Sequence, residues 1–537
     1  VYRIDNTGTR CQHHPSLDFD VTVIGSGFGG AVTAARLSEA GYRVLILERG
    51  RRWAPENFPA RSGAWIFDPD NPEKRNGWFD MRRFPHMTVV QGAGVGGGSL
   101  VYANISVEAK PDTFNEGWPP EIRPGTLDEF YEKVGTTMKV RKVPKEPHDQ
   151  RPARTKLLEE AAKKLGYGDR FRQLELAVTF DDDWRYDQAD PHDPAKSKTF
   201  VNDHGRTQGT CVHLGDCDIG CAVNARNTLD LNYIAMAENT GRATVKPLHI
   251  ARGITPIDGG YRVTYHEIAS GGLTPGSVTS RLVIVAAGSL GSTELLLQCK
   301  QVGTLPRLSG KLGSGWSSNG DFLTPAIHFG RSVNPTRGPT ITAAVDLLDG
   351  AFRGQPIFIE DGGLPDIGGA GLRALAERDG VDPFEKAMIA TLGFIFRVGL
   401  LGSIMPWFAQ SRDASDGVLS LKNGKLFLDW DITKSKPTID AVVAMHQQMA
   451  VRTGGMPITP LTWSRDQDLI TPHPLGGCRM AATTTEGVVD HRGEVFGHPN
   501  LYVADGAIVP KAIGLNPSRT IGALAERIAK GIITEQR

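Results

Sequence analysis

The residues best suited to chemistry lie near the far end of the chain. His473 opens His473-Pro-Leu-Gly-Gly-Cys478, and Asn516-Pro517 follows a little after Asp505-Gly506. An imidazole gains and loses a proton near neutral pH, so His473 can take the proton of a substrate hydroxyl. A neutral amide such as Asn516 can orient an oxygen by hydrogen bonding. A third candidate is Glu360 in Phe358-Ile-Glu-Asp361, which can accept a proton or carry one between atoms. Each has a bland alternative. His473 could be a packed histidine in a glycine turn, and Glu360 could be solvated or replaced by its neighbour Asp361.

These groups gain meaning from a feature at the opposite end. A strand-like run, Asp20 to Ile24, leads into Gly25-Ser-Gly27-Phe28-Gly29-Gly30. The first glycine allows a tight turn, Gly27 lets backbone approach a pyrophosphate, and Gly30 lets the next helix pack on the strand. The small-residue run Ala31 to Ala40 has helical spacing, and its N-terminus would offer free N–H groups to phosphate. A second strand, Tyr42 to Leu47, ends in Glu48, about 20 residues past the glycines, where a carboxylate accepts from an adenosine ribose. Strand, glycines, helix, strand and acid fall in the order a dinucleotide clamp requires. A second glycine loop, Gln91 to Ser99, is followed by apolar Leu100-Val101-Tyr102, so it reads as a cofactor contact rather than a linker. A clamp at one end and a proton-handling centre at the other point to a flavin.

The elements that must position these groups are also readable. Ala243 to Pro247 reads as a strand, and Asp258-Gly-Gly260 and Ser270-Gly-Gly272 as hairpin turns. They lead into a buried strand, Arg281 to Ala286. Asn423-Gly424 marks a type I′ hairpin in a separate antiparallel sheet. The expected class is α/β with an α+β second domain: a Rossmann-like FAD-binding domain and a discontinuous substrate domain built on an antiparallel sheet. Residues 17–60, 88–108, 205–315 and 466–537 would form the first domain. Residues 61–87, 109–204 and 316–465 would form the second.

Composition narrows the classes. Lys plus Arg and Asp plus Glu number 60 each, which argues against a nucleic-acid surface driven by bulk charge. Six cysteines in 537 residues are too few for a disulfide scaffold. No secretory leader is visible at Val1, so a cytoplasmic location is expected. Ala387 to Phe408 is almost wholly apolar. It reads as a buried helix, with a substrate mouth or membrane-surface contact as the alternative and a membrane span as the weakest reading. Cys211, Cys217 and Cys221 have a spacing that could hold an iron–sulfur cluster, although the common clusters need four ligands. Zinc lacks an evident fourth ligand, with His213 nearby.

Taken with Val95 to Val101, Ala286 to Leu296 and Asn500 to Gly506, these motifs resemble the glucose–methanol–choline oxidoreductases, and within them the bacterial cholesterol oxidases. The likeness runs over nearly the whole chain. It implies FAD and oxidation of a hydrophobic alcohol by hydride transfer to flavin N5; the family's covalent attachment sites are not obvious here, so noncovalent binding is expected. Electrons would pass to dioxygen or to a quinone or cytochrome. It implies that Gly25, Gly27, Gly30 and Glu48 hold the ADP half. Gly97 and Gly98, with Tyr102, Ala103, Asn104 and Ile105, would lie along the isoalloxazine. Backbone near Ala251 would meet the adenine, and Asp505 and Gly506 the ribityl and pyrophosphate. His473 and Asn516 would face N5, with Glu360 as the active-site glutamate. Steroid metabolism is the implied setting. The alternatives are a flavoprotein lyase without net redox, and a dehydrogenase with an iron–sulfur relay at the three cysteines.

Overall fold

The computed structural model describes residues 3–4, 10–11, 17–55, 65–269, 272–365, 393 and 400–535. Its first body is a parallel sheet built on Phe19–Ile24, whose Val21 and Val23 are fully buried. Val44–Leu47 pairs on one side of it and Ala243–Lys246 lies beyond. On the other side runs the long strand Gly272–Val285, then Leu501–Val503. The long strand does two jobs. Its alternating first half pairs antiparallel with Gly260–Ala269, which in turn pairs with His249–Ile257. Its apolar second half, Leu282 to Val285, is buried on both faces as parallel strands are. The buried strand expected at Arg281 to Ala286 is therefore the end of one long strand that also closes a three-stranded antiparallel meander.

The helix Phe28–Glu39 follows the first strand and carries small residues where it meets the sheet. A side chain on Gly30 would lie 2.1 Å from the Gly25 carbonyl oxygen, so only glycine permits this approach. The C-terminal helix Ser518–Glu535 packs against it, and Glu526 accepts from the Arg36 guanidinium at 2.9 Å.

The second body is a six-stranded antiparallel sheet. Its order is Met456–Pro457, Phe322–Ile327, Ile404–Ser411, Gln355–Asp361, Ala343–Phe352 and Phe171–Gln173. Strand alternation splits its side chains. Ile357, Ile359, Trp407 and Ala409 pack with Val442, Met445 and Met449 of the helix Ile432–Arg452. Phe358 and Ala344, on the other face, join the core of the first body. The inner face of this sheet thus forms one wall of the junction between the bodies.

Two of the smaller sheets bear on the site. In one, Met87–Gly92 pairs antiparallel with Phe79–Phe84 and parallel with Leu469–Thr471. The parallel pairing decides the site. Both strands run the same way, so the second glycine loop after Gly92 and His473 after Thr471 emerge at the same end. In the other, Gly417–Lys422 and Lys425–Asp429 form the expected hairpin, and Asn423 and Gly424 both have positive φ.

The apolar run near residue 400 corrects the sequence reading. Residues 387–399, except 393, lie outside the described residues, but Ile404–Ser411 is a central strand, not a helix. Pro406 cannot donate within a helix, and a strand covered on both faces has the same unbroken apolar pattern as a buried helix. Among the described residues no helix is long and apolar enough to cross a membrane.

Candidate active site

The clamp closes through contacts between its two glycine loops. Gly97 has φ +52°, and a Cβ there would lie 2.5 Å from the Gly27 Cα. Beside it, a Cβ on Gly98 would meet nothing within 4 Å. Glu48 stitches the loops together. One carboxylate oxygen accepts from Ser26 N at 3.1 Å and Ser26 Oγ at 2.6 Å, the other from Gly50 N at 2.9 Å and Gly94 N at 3.2 Å. Ser26 Oγ in turn accepts from Gly96 N. The start of the meander adjoins this point, because His249 N donates to the Glu48 carbonyl at 2.8 Å, two residues before Ala251.

Asp505 is used in a similar way. Its carboxylate accepts from Gly288 N at 2.8 Å, Ala507 N at 2.8 Å and the Ser292 hydroxyl, while burial pushes its pKa up. A Cβ on Gly29 would fall 1.6 Å from the Ala504 carbonyl oxygen, so the clamp helix rests directly on the strand end that carries Asp505. Gly506 is buried, and its carbonyl accepts from Gly476 N inside the His473 motif.

Tyr102 sets its ring edge-on to Phe28 at 5.5 Å and donates to the Asn227 carbonyl at 3.3 Å; burial raises its pKa. Ala103 is half-buried. Asn104 has φ +65° and is fully buried, yet neither its amide nitrogen nor its oxygen has a partner. The next carbonyl, that of Ile105, accepts from Ser518 Oγ at 2.8 Å, which places this segment beside the Asn516 loop.

At the reacting end, His473 Nδ1 lies 2.9 and 3.0 Å from the two oxygens of Asp321, which is fully buried. The Thr471 hydroxyl accepts from His473 N at 2.9 Å and approaches Asp321 at 2.6 Å. Asn516 is brought in by a loop that Asn319 grips: its oxygen accepts from Ile513 N and Gly514 N at 3.0 and 2.8 Å, and its nitrogen donates to the Leu515 carbonyl at 2.9 Å. The Asn516 side-chain oxygen is buried without a partner.

Glu360 enters from the inner sheet face. It pairs across the strand with Phe408, whose ring lies 6.4 Å from that of His473. Glu360 is fully buried and neither oxygen makes a hydrogen bond. Burial above all, then the charges of Asp361 and Asp321, push its pKa well up; the nearby Asn516 side chain opposes this only in part. Asp361 points to the opposite face and has no freedom to substitute. It accepts from Thr342 N at 2.7 Å, Ala343 N at 2.8 Å, and the hydroxyls of Thr342 and Thr155 at 2.6 Å each. Gln410, two residues past Phe408, is fully buried on the inner face with both amide atoms unpartnered.

The sequence reading missed Asp321, Asn319, Thr471, Gln410 and Ser26. Asn319-Gly320-Asp321 looks like an ordinary turn, and both Asn319 and Gly320 do have positive φ. Nothing local says that the turn touches His473 or residues 513–515.

Residues 423–525 match the family described as GMC oxidoreductase, and residues 23–64 match the NAD(P)-binding Rossmann-like domain. A cholesterol oxidase of Acinetobacter baumannii is 31% identical over 95% of this chain and 94% of its own length. The chain belongs to the GMC oxidoreductases. A Mycobacterium tuberculosis cholesterol oxidase is 30% identical over 95% of this chain and 90% of its own. A long-chain-alcohol oxidase of Arabidopsis thaliana is 23% identical over 96% and 67%. Among solved structures, pyridoxine 4-oxidase from Mesorbium loti shares the fold at a TM-score of 0.60 and 16% identity, covering 95% of this chain and 98% of that one.

This GMC protein is an FAD-dependent alcohol oxidoreductase. Its residues fit the cofactor. The glycine cradle has open space at Gly98, and buried polar atoms of Asn104, Glu360 and Asn516 lack partners where the reacting end would lie. The three cysteines have partners of other kinds. Among the described residues no three His, Cys, Asp or Glu side chains are grouped to hold a metal ion. Cys211 Sγ accepts from His213 N and Cys221 Sγ from Ala225 N, each at 3.4 Å, and burial raises the Cys211 and Cys217 thiols, which disfavours the thiolate a cluster needs. His213 instead stacks on Trp184, with ring centroids 3.9 Å apart.

Proposed function

We propose that this enzyme oxidises a hydrophobic alcohol, sterol-like or long-chain. The observation that carries the reading is the junction of His473, Asn516 and Glu360, three residues from separate segments, at a sheet face lined by Phe358 and Phe408. A mostly apolar wall with a few convergent polar groups suits an apolar substrate held by one hydroxyl. The names of the similar proteins, cholesterol oxidases and a long-chain-alcohol oxidase, support the same class.

FAD would sit along Gly25, Gly27, Gly97 and Gly98, with Tyr102 to Ile105 toward its reacting end, Asp505 and Gly506 beside it and Glu48 and Ala251 toward its adenosine. When bound, it supplies the acceptor for the hydride of the alcohol carbon. The chain's own groups do the rest. His473 takes the hydroxyl proton through Nε2. Asn516 holds the oxygen in place. Glu360, buried and neutral at rest, donates a hydrogen bond; with a Δ5-sterol it gives its proton to one carbon while its other oxygen takes one from another. Electrons would then pass to dioxygen or to a quinone or cytochrome.

The test is an anaerobic panel of sterols, terpenols, fatty alcohols and sugars. Loss of the oxidised-flavin band at about 450 nm is the readout, followed by admission of air. Reduction by sugars alone would sink the hydrophobic reading, and no reduction by any alcohol would sink the mechanism. Rapid recovery in air would identify an oxidase.

A further inference from the structure

The geometry points to Asp321 as a positioning residue that holds His473 with its proton on Nδ1, leaving Nε2 as the basic nitrogen, and that carries the negative charge of this end of the site in place of Glu360. The inference rests on the proposed reading of His473 as the proton acceptor and adds how that role is enforced.

Three observations support it. First, a neutral imidazole has one donor and one acceptor nitrogen, and the partner of one fixes the role of the other. Nδ1 sits almost equally close to both Asp321 oxygens, at 2.9 and 3.0 Å, the arrangement of an N–H placed between two acceptors. Nε2 makes no hydrogen bond among the described residues. Second, the ring is held from its backbone as well. The Thr471 hydroxyl takes the His473 N–H and lies 2.6 Å from Asp321 Oδ2 and 2.8 Å from the Ser318 carbonyl, so it ties the His473 backbone to the turn that carries Asp321. Thr471 ends the strand that pairs parallel with Val89, so these contacts are fixed relative to the second glycine loop. Third, Asp321 and Glu360 are two fully buried carboxyls that influence one another, and one of them should hold the charge. Asp321 has the His473 ring nitrogen and the Thr471 hydroxyl within hydrogen-bond distance, whereas Glu360 has only the Asn516 side chain nearby. The charge therefore rests on Asp321. There it attracts the proton that His473 gains when the alcohol is oxidised. The proton moves from the substrate oxygen to Nε2, the imidazole becomes a cation, and it lies beside a carboxylate that was already charged.

The division of labour differs from one in which Glu360 is the base. A carboxyl kept neutral in an apolar wall can donate a hydrogen bond but cannot begin by accepting a proton at the same oxygen.

The decisive measurement is read on the wild-type protein. In holoprotein with ¹⁵N-labelled histidine, long-range ¹H–¹⁵N spectra read which nitrogen of His473 carries the proton, the signal being assigned by its loss in His473→Gln. The expected result is Nδ1–H; Nε2–H in the wild type overturns the inference. The kinetic arm is Asp321→Asn, whose amide NH₂ can turn toward Nδ1 and lock the opposite tautomer. Flavin reduction should slow by about 10²-fold or more at saturating alcohol, with KM and bound FAD near wild type. A wild-type rate overturns the inference. Failure of the underlying reading looks different: His473→Ala would then reduce its flavin at normal speed, whatever tautomer the wild type shows.

Discussion

The two ends of the cofactor cleft treat their buried polar groups in opposite ways. At the clamp, Glu48 has four donors within the chain and Asp505 three. At the reacting end, Glu360, Gln410, Asn104 and the Asn516 oxygen have none. A buried polar atom without a partner costs about 1–3 kcal/mol, so several of them gathered at one place call for a partner there. The clamp is a structure the chain completes for itself. On the proposed reading, cofactor and substrate would complete the reacting end. The same contrast recurs within one strand, where Asp361 is saturated and Glu360, its neighbour, is bare.

The comparison breaks first at His473. If the reacting end is where protons move, His473→Ala should slow anaerobic flavin reduction by about 10²–10⁴-fold, since that is what a positioned acid–base group contributes. FAD content should be unchanged, because His473 holds none of the clamp. A stopped-flow trace at wild-type speed would leave the two ends undistinguished in function.

The neighbouring carboxylates sharpen it next. Asp361→Ala strands two backbone N–H groups and two hydroxyls in the sheet, and should cost about 3 kcal/mol or more in chemical denaturation. Glu360→Gln removes no hydrogen bond and should cost little. Its effect should depend on pH. The folded state raises the pKa of Glu360, so the stability it contributes is complete below the ordinary carboxyl value of about 4.3 and is lost as pH rises through the raised one. Gln cannot ionise. The variant should therefore match the wild type in acid and gain on it toward neutral pH. A constant difference across that range would mean that Glu360 is not held neutral.

How much of this was legible beforehand follows the same division. The clamp could be read because its requirements are local: Gly25 to Gly30 and Glu48 lie in one βαβ unit, with spacing set by one strand, one turn and one helix. His473, Asn516 and Glu360 were legible as candidates because their motifs are short and their types suit proton transfer. Their partners were not. Asp321 reaches His473 across 152 positions, and Asn319 grips a loop nearly 200 positions away, contacts that only the packed junction creates. Ile404–Ser411 was misread for a related reason. A strand buried between two layers loses the alternation that would mark it.

The glycine loops allow a finer cut between what the chain needs and what the cofactor needs. Gly97→Ala places a methyl 2.5 Å from the Gly27 Cα at a positive φ, so the loops must part even without FAD. About 1–3 kcal/mol of apoprotein stability should go with it. Gly98→Ala adds a methyl that meets no protein atom, so the apoprotein should melt within about 0.5 kcal/mol of the wild type. If FAD lies against that position, its retention on a desalting column should nevertheless fall. Equal FAD retention in Gly98→Ala and the wild type would move the cofactor away from the second loop.

The smallest expected effect concerns Asn319, which belongs to the self-satisfied kind of residue but serves the other end. Its side chain makes three hydrogen bonds to the backbone of Ile513, Gly514 and Leu515, directly before Asn516. In Asn319→Ala the loop keeps other anchors, because Arg412 Nε still donates to the Ile513 carbonyl at 3.3 Å and Ala512 N to Ser415 Oγ at 2.8 Å. The loop should loosen rather than leave. A displacement of Asn516 by a fraction of an ångström degrades the alignment of the substrate oxygen without removing the group that aligns it. Flavin reduction should then slow by roughly tenfold, about 1.4 kcal/mol in the barrier, well short of the loss in Asn516→Ala. In the double variant Asn319→Ala, Asn516→Ala the effects should not add, since Asn319 acts on the rate through Asn516. Additive losses would show that Asn319 reaches the reaction by some other route.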